Sequence, residues 1–299
     1  MRRRHFIAGL SSTTVALPLA VHAQQPGKLP TIGLLGQSTR AAASEWVAAF
    51  AERLREHGWI EGRTIAIEYR WSEGRDERST DIAAEFVRLK VDIIVTSGTS
   101  HVLAAKQATS AIPIVFATAG DPVATGLVSS LARPGGNATG LATLADDLAG
   151  KRLELLRELV PKLHHLAIMG NVGNPFIPLE LQEVQTVAEK LGLDVQILAV
   201  RQASDISRAF ETLGDRADAL YVCTDALATT NRIRINTSAL GARLPTMHGS
   251  RDYVEAGGLI SYGPNFPDLW RHAGDYEHRR GAAIPPINGS VGALGRSFT

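Results

Sequence analysis

Runs of β-branched and apolar residues alternate with helical patterns along this chain, stop at one turn-rich stretch, and then begin again. Residues 31–35 read as a strand and 41–57 as an amphipathic helix, closed by Gly58 where a left-handed turn is needed. Residues 64–71 alternate like an edge strand and 76–90 are helical. Residues 91–95 and 112–116 have the continuous apolar character of buried parallel strands, with a helix over 100–110 between them. After the turn signals of Arg133-Pro134-Gly135-Gly136-Asn137 the spacing predicts helices over 148–160, 179–191, 203–213 and 226–240. Strands are expected over 163–169, 195–200, 219–223 and 259–262. Every crossover between parallel strands must carry the chain back over a sheet face, so each half becomes a sheet covered by helices on both sides. The expected fold class is α/β, with two doubly wound parallel-sheet lobes joined by a hinge. The lobes span 24–141 and 142–262, with a return to the first lobe over 263–276 and hinge crossings near 140–143 and 262–264.

Residues 1–23 have the build of an export signal. Arg2, Arg3 and Arg4 precede a mostly apolar run from Phe6 to Leu19, and Val21-His22-Ala23 supplies a small-residue cleavage site. A spanning helix needs about 20 continuous apolar residues, whereas this run is shorter and broken by Ser11, Ser12, Thr13, Thr14 and Pro18. Arg3-Arg4-His5-Phe6-Ile7 resembles a twin-arginine signal and fits a general secretory signal equally well. Cleavage near Ala23 and a periplasmic location are expected. Losing three arginines takes the formal charge from +1 to −2, which favours neither nucleic acid nor an anionic membrane. Cys223 is the only cysteine, so stability must come from packing rather than an intramolecular disulfide. No cysteine follows the signal to carry a lipid, and a freely diffusing monomer is expected.

In open parallel sheets a ligand sits beyond the carboxyl ends of the strands. Those positions hold Gly36-Gln37-Ser38, Ser97-Gly98-Thr99-Ser100 and Thr118-Ala119-Gly120-Asp121-Pro122 in the first half. The second half offers Gly170-Asn171 with Asn174-Pro175, then Thr224-Asp225, then His248-Gly249-Ser250-Arg251. Small hydroxylated residues leave room for a ligand, and the adjoining helix N-termini favour a carboxylate. Asp121 and Asp225 have the charge to accept a ligand ammonium, while the same aspartates and Thr99 or Ser100 also suit helix capping. Trp46 and Phe50 share one helix face and read as core. Tyr262 follows a short strand at an expected crossing, with a hydroxyl able to reach a ligand.

The segment Gly120-Asp121-Pro122-Val123-Ala124-Thr125-Gly126-Leu127-Val128-Ser129-Ser130-Leu131-Ala132-Arg133-Pro134-Gly135-Gly136-Asn137-Ala138-Thr139-Gly140 resembles a signature of periplasmic ABC-transporter substrate-binding proteins related to tryptophan- and tyrosine-binding components. Arg251-Asp252-Tyr253-Val254-Glu255-Ala256-Gly257-Gly258-Leu259-Ile260-Ser261-Tyr262-Gly263 resembles the same family. The resemblance, over about residues 31–276, implies a type I periplasmic-binding-protein fold, a small-molecule ligand and a membrane permease as partner. It also implies a cleft lined by residues 97–100, 118–121, Asn171, Asp225 and the surroundings of Ser250 and Tyr262. The expected ligand-binding set is therefore Gln37, Ser38, Ser97, Gly98, Thr99, Ser100, Thr118, Asp121, Asn171, Asp225, Ser250 and Tyr262.

After Tyr276 the chain departs from that pattern, and dense Gly and Pro predict an irregular tail over 277–299. Gly98-Thr99-Ser100-His101-Val102 lacks the second glycine of a nucleophile elbow, and neither GxxxxGK nor GxGxxG is found. His164 and His165 are adjacent on a predicted strand and point to opposite faces, a poor start for a metal site. No catalytic residue, cofactor or metal is therefore assigned. An exported α/β enzyme acting on a small polar substrate stands as the alternative to a binding protein. The effector domain of a transcriptional regulator would share the fold but not the export signal.

Overall fold

The structure is a computed structural model that describes residues 28–143, 148–281 and 292–293, with side chains through Tyr276; the segment read as an export signal lies outside the described residues. The first sheet holds β1 (Thr31–Gly36), β2 (Ala66–Trp71), β3 (Ile93–Thr96), β4 (Ile114–Gly120), β5 (Ala138–Thr143) and β11 (Gly292–Ala293). All pair in parallel, in the order β11-β5-β4-β3-β1-β2. The second holds β6 (His165–Asn171), β7 (Asp194–Val200), β8 (Ala219–Val222), β9 (Thr246–His248) and β10 (Ile260–Ser261) in the parallel order β10-β9-β8-β6-β7.

Each lobe is apolar on both sheet faces, because successive residues of a strand point to opposite sides. In the first lobe Leu34, Val95 and Val115 join one core with Trp46 and Phe50 of α1 (Ser44–Glu56). Leu35, Ile94 and Phe116 join the other, beneath α2 (Asp76–Leu89) and α3 (Thr99–Ala108). In the second lobe Leu166, Ile168 and Tyr221 face α4 (Leu148–Leu159) and α5 (Ile177–Lys190). Ala167, Met169, Leu220 and Val222 face α6 (Ala203–Leu213) and α8 (Arg232–Gly241).

The structure corrects the sequence reading at four places. The crossing expected near 140–143 is strand β5, and the chain changes lobe between Thr143 and Leu148 instead. Gly140 disguised that strand, since glycine normally weakens a strand interior. The helix expected over 226–240 is broken at Asn231 into α7 (Ala226–Thr230) and α8. Strand β9 and the short helix α9 (Arg251–Glu255) were missed, being too short for a periodic signal.

The fourth correction is the tail. Helix α10 (Phe266–Gly281) runs past Tyr276, and Gly292–Ala293 pair with Leu141–Ala142 at the edge of the first sheet. Phe266, Leu269, Trp270 and Ala273 present one apolar stripe to α1, where Trp46 stacks on Phe266 at 5.1 Å and Trp270 meets Phe50 edge-on at 6.1 Å. Arg53 and His57 bind Asp275 at 2.6 and 2.8 Å, and Arg271 binds Glu56 at 2.7 Å. With its first turns anchored, α10 continues through Glu277-His278-Arg279-Arg280, where no helix breaker intervenes before Gly281.

Candidate functional site

Apart from β11 added at the edge of the first, both sheets share one strand order, 2-1-3-4-5 in the numbering of each half, and so reverse direction between their first and third strands. Crossovers on either side of that point leave to opposite faces and open a crevice beyond the strand ends. The crevices of the two lobes face each other, and the space between them is about 730 Å³ with its open mouth included. The lobes touch across it: the Phe176 ring, just before α5, covers Gly120 at the end of β4 so closely that a Cβ there would lie 2.5 Å from ring carbons.

The first lobe contributes Gln37 after β1, Gly98 through His101 at the start of α3, Thr118 through Gly120 on β4, and Asp76 opening α2. The Thr118 side chain is 5% exposed and its hydroxyl has no hydrogen-bond partner among the described residues. His101 lies against Ser72 at 2.6 Å, and the Ser72 hydroxyl donates to the Gln37 carbonyl at 2.9 Å. The serine therefore accepts from His101, which places a proton on Nε2. Burial alone takes the His101 pKa down to about 4.

The second lobe contributes Leu148 and Arg152 of α4, Asn174, Phe176 and Glu180 around α5, Thr224 through Ala226, and Gly249. Arg152 is 5% exposed. Its Nη1 donates to Tyr221 Oη at 2.6 Å and lies 3.2 Å from Glu180 Oε1, while Nε donates to the Tyr262 carbonyl at 2.7 Å. Burial opposes the guanidinium charge, but Tyr221 and Glu180 more than offset it. Burial also raises the Glu180 carboxyl against the pull of Arg152 and Tyr221. Asp225 caps α7 by accepting from Ala228 N at 2.8 Å, and Asn171 donates to its other oxygen at 2.6 Å. Burial raises Asp225 to about 7 despite both bonds.

Six members of the sequence-derived set line this cleft: Gln37, Gly98, Thr99, Ser100, Thr118 and Asp225. Six lie outside its wall. Ser38 and Ser97 are fully buried behind it. Asp121 is occupied by Val123 N and Ala124 N, as a cap would be, at 3.1 and 2.9 Å. Asn171 spends its amide on Asp225 and its carbonyl oxygen on Gly173 N, so it positions that aspartate. Ser250 stands at the start of α9 and its hydroxyl donates to Asp252 rather than capping the helix, and Tyr262 acts through the carbonyl that holds Arg152. Sequence reasoning missed Arg152, Glu180, Asp76, His101 and Phe176. Two had a legible signal: Arg152 lies on the stripe Leu148, Ala149, Leu153, Leu156, and Glu180 on Ile177, Leu181, Val184, Ala188. A charge on an apolar stripe must be paired when buried.

These burials predict an acid profile. Buried His101 and His248 titrate near 4 and 3, below the ordinary 6.5, so the unfolded chain binds protons first and stability is lost as pH falls from 6.5 toward 4. Asp225 works in the opposite sense: raised to about 7 from 3.8, it contributes stability that is present at pH 4 and lost as pH rises to 7. Between pH 4.5 and 6 the Asp225→Asn variant, which keeps a capping side chain, should lose stability on acidification more steeply by about 1.4 kcal/mol per pH unit. Equal slopes for variant and wild type in denaturant titrations would refute the buried titration of Asp225.

A family model described as "ABC transporter substrate binding protein" matches residues 39–284. A curated "Tyrosine-binding protein" of Clostridioides difficile (strain R20291) is 28% identical over 226 residues, which are 76% of this chain and 65% of that protein, just under two thirds of its length. The chain is similar to the ABC domain in complex with L-Trp from Streptococcus pneumonia, with a TM-score of 0.82, 23% identity and coverage of 89% and 90% of the two chains. The ligand-free, open structure of a Clostridium difficile substrate binding protein with adhesive properties gives a TM-score of 0.61 at 26% identity, covering 89% of each chain.

Proposed function

We propose that this chain, which belongs to the ABC transporter substrate binding protein family and has the type I periplasmic-binding-protein fold, is the extracytoplasmic component of an ABC importer, capturing a small amino acid or related carboxylate between its lobes. The observation that carries this reading is the two-lobed cleft, where a buried guanidinium, the Thr118 and Thr224 hydroxyls, which have no partner among the described residues, and the carboxylates Asp76 and Asp225 converge. A ligand with both a carboxylate and an ammonium would meet a complementary group at each end. The tyrosine and tryptophan named for the relatives make an aromatic amino acid the first compound to try. Periplasmic export with cleavage near Ala23, delivery to a membrane permease and a monomeric state complete the proposal. Catalysis has less support: the Ser72 hydroxyl beside His101 is fully buried and its proton is committed to the Gln37 carbonyl, so the pair is not a nucleophile and base.

Thermal-shift screening against amino acids, organic acids, sugars and nucleosides tests the ligand class. At one hundred times its Kd a ligand adds about 2.7 kcal/mol, which for a protein this size raises Tm by about 5–10 °C. Stabilisation by an amino acid or carboxylate is expected. Stabilisation by neutral solutes alone would overturn the ligand assignment, and turnover of a hit would overturn the binding-protein reading.

A further inference from the structure

We propose that His101, locked by Ser72, is a specificity-determining residue of the cleft: its Nδ1 accepts a hydrogen bond from an uncharged O–H or N–H group of the ligand's side chain. The proposal rests on the cleft being an amino-acid site and narrows what that site accepts, favouring side chains that carry a donor over hydrocarbon or methylated counterparts of the same shape.

Three segments of the first lobe fix the ring. His101 lies in the first turn of α3, Ser72 follows β2 and Gln37 follows β1. The Ser72 hydroxyl has one proton, which goes to the Gln37 carbonyl, so its oxygen accepts from His101 Nε2. Burial keeps the ring uncharged at neutral pH, its pKa being down near 4 with no charged neighbour contributing to the shift. The other nitrogen, Nδ1, is then left with a lone pair and no proton.

That lone pair is unused and borders the cleft. The ring's hydrogen bond among the described residues engages Nε2 and not Nδ1. Nδ1 lies 3.8 Å from the place a Cβ on Gly98 would take, and Gln37 Oε1 lies 2.5 Å from the same point. His101, Gly98 and Gln37 all line the cleft. Glycine at position 98, with φ of +83°, thus leaves open a corner bordered by two acceptors. Gly98 N donates to the Thr118 carbonyl at 2.8 Å, which sets the Thr118 hydroxyl, without a partner among the described residues, on the same wall.

None of these four residues is charged. The charges of the cleft belong to Asp76, Arg152, Glu180 and Asp225, so its walls divide into a charged part and a neutral, hydrogen-bonding part. A ligand without a donor would shut Nδ1 away from solvent and leave a buried acceptor unpaired once the lobes close, whereas an O–H or N–H satisfies it. Apolar contacts separate ligands of similar shape weakly, and a missing hydrogen bond in a dry site separates them strongly.

Isothermal titration calorimetry of the mature protein with four matched pairs tests the assignment. The pairs are L-tyrosine and L-phenylalanine, L-tryptophan and 1-methyl-L-tryptophan, L-threonine and L-valine, and L-glutamine and L-methionine. The donor-bearing member of at least one pair is expected to bind, its counterpart being weaker by about 10–100-fold. His101→Gln keeps an amide on Ser72 but has no acceptor at Nδ1, so the ratio within the pair should fall to about one. His101→Asn sets an amide oxygen where Nδ1 stood and should keep most of the preference. A ratio within one pair cancels any general loss of binding from altered packing. In protein carrying isotope-labelled histidine, the nitrogen NMR spectrum of His101 should show an unprotonated Nδ1 at neutral pH that shifts with the donor-bearing member alone, and Ser72→Ala should release the fixed tautomer. Should His101→Gln fail to fold, the wild-type ratio and this spectrum decide. Equal affinities within every pair that binds, a His101→Gln variant with the wild-type ratio, or a protonated Nδ1 in the empty protein would overturn the proposal and leave the binding-protein reading standing. Silence of every paired compound overturns it too; a sugar, nucleoside or organic acid that stabilises the protein then keeps the wider small-ligand reading, and silence there retires both.

Discussion

Arg152→Ala is expected to cost about 3–5 kcal/mol in denaturant-induced unfolding of the second lobe, the range found when one partner of a buried ion pair is removed. Glu180, itself only 5% exposed, would be left with two neutral partners, Tyr221 at 3.1 Å and Cys223, in a site that already pushes its carboxyl upward. The same change removes the bond from Arg152 Nε to the Tyr262 carbonyl, which ties α4 to the second crossing between the lobes. The desolvation argument also predicts its own control. Arg152→Met, Glu180→Leu and Tyr221→Phe made together remove every charge and hydroxyl of the cluster and leave only the Tyr262 carbonyl without its donor, so most of the lost stability should return. Ligand affinity should not return, because the guanidinium is absent. A single variant no less stable than the wild type, or a triple variant as unstable as the single one, would show that the cluster is not a buried ion pair in solution.

Gly120→Val should separate closure from folding. Gly120 ends β4 in the first lobe, and the ring over it belongs to Phe176 of the second, so the new side chain would collide only when the lobes shut. Overpacking of this kind costs about 1–3 kcal/mol, and charged entirely to the closed state it lowers ligand affinity about 10–100-fold while Tm of the empty protein stays nearly unchanged. Small-angle scattering should show compaction on ligand addition for the wild type and little for the variant. Phe176→Ala added to Gly120→Val restores space and should recover compaction. A Gly120→Val protein that compacts and binds like wild type would refute contact between these lobes in the loaded state.

Most of the fold was legible because its signals are local. Strands β1, β3, β4, β6 and β8 are short apolar runs buried on both faces, and α1, α2, α5 and α6 repeat their apolar residues at helical spacing. The elements that escaped were those whose local chemistry argues against them. Gly140 weakened the reading of β5, and Asn231 broke an otherwise continuous helical pattern between α7 and α8. The tail had no periodicity of its own after Tyr276, yet its first residues inherit a helix nucleated upstream on α1.

For the site the division is sharper. Alternating strands and helices determine a doubly wound sheet, and such a sheet determines that its crevice lies beyond the strand ends, so the place of Gln37, Gly98, Thr118 and Asp225 on the cleft wall was legible without coordinates. Local sequence also contained the capping alternative that holds for Asp121. It could not say which aspartate is consumed by its own turn and which also faces the cleft, because Asp121 and Asp225 occupy equivalent places at strand ends. Nor could it join Arg152 to a carbonyl 110 residues away, Tyr221 to a carboxylate 41 residues away, or Asp76 to Asp225. Periodicity reports which face of an element is apolar and stops at its ends. The meeting of charges depends on how two separately folded lobes close on each other, which is set by the shape of their surfaces and by contacts such as Gly74 on Ala226 and Phe176 on Gly120.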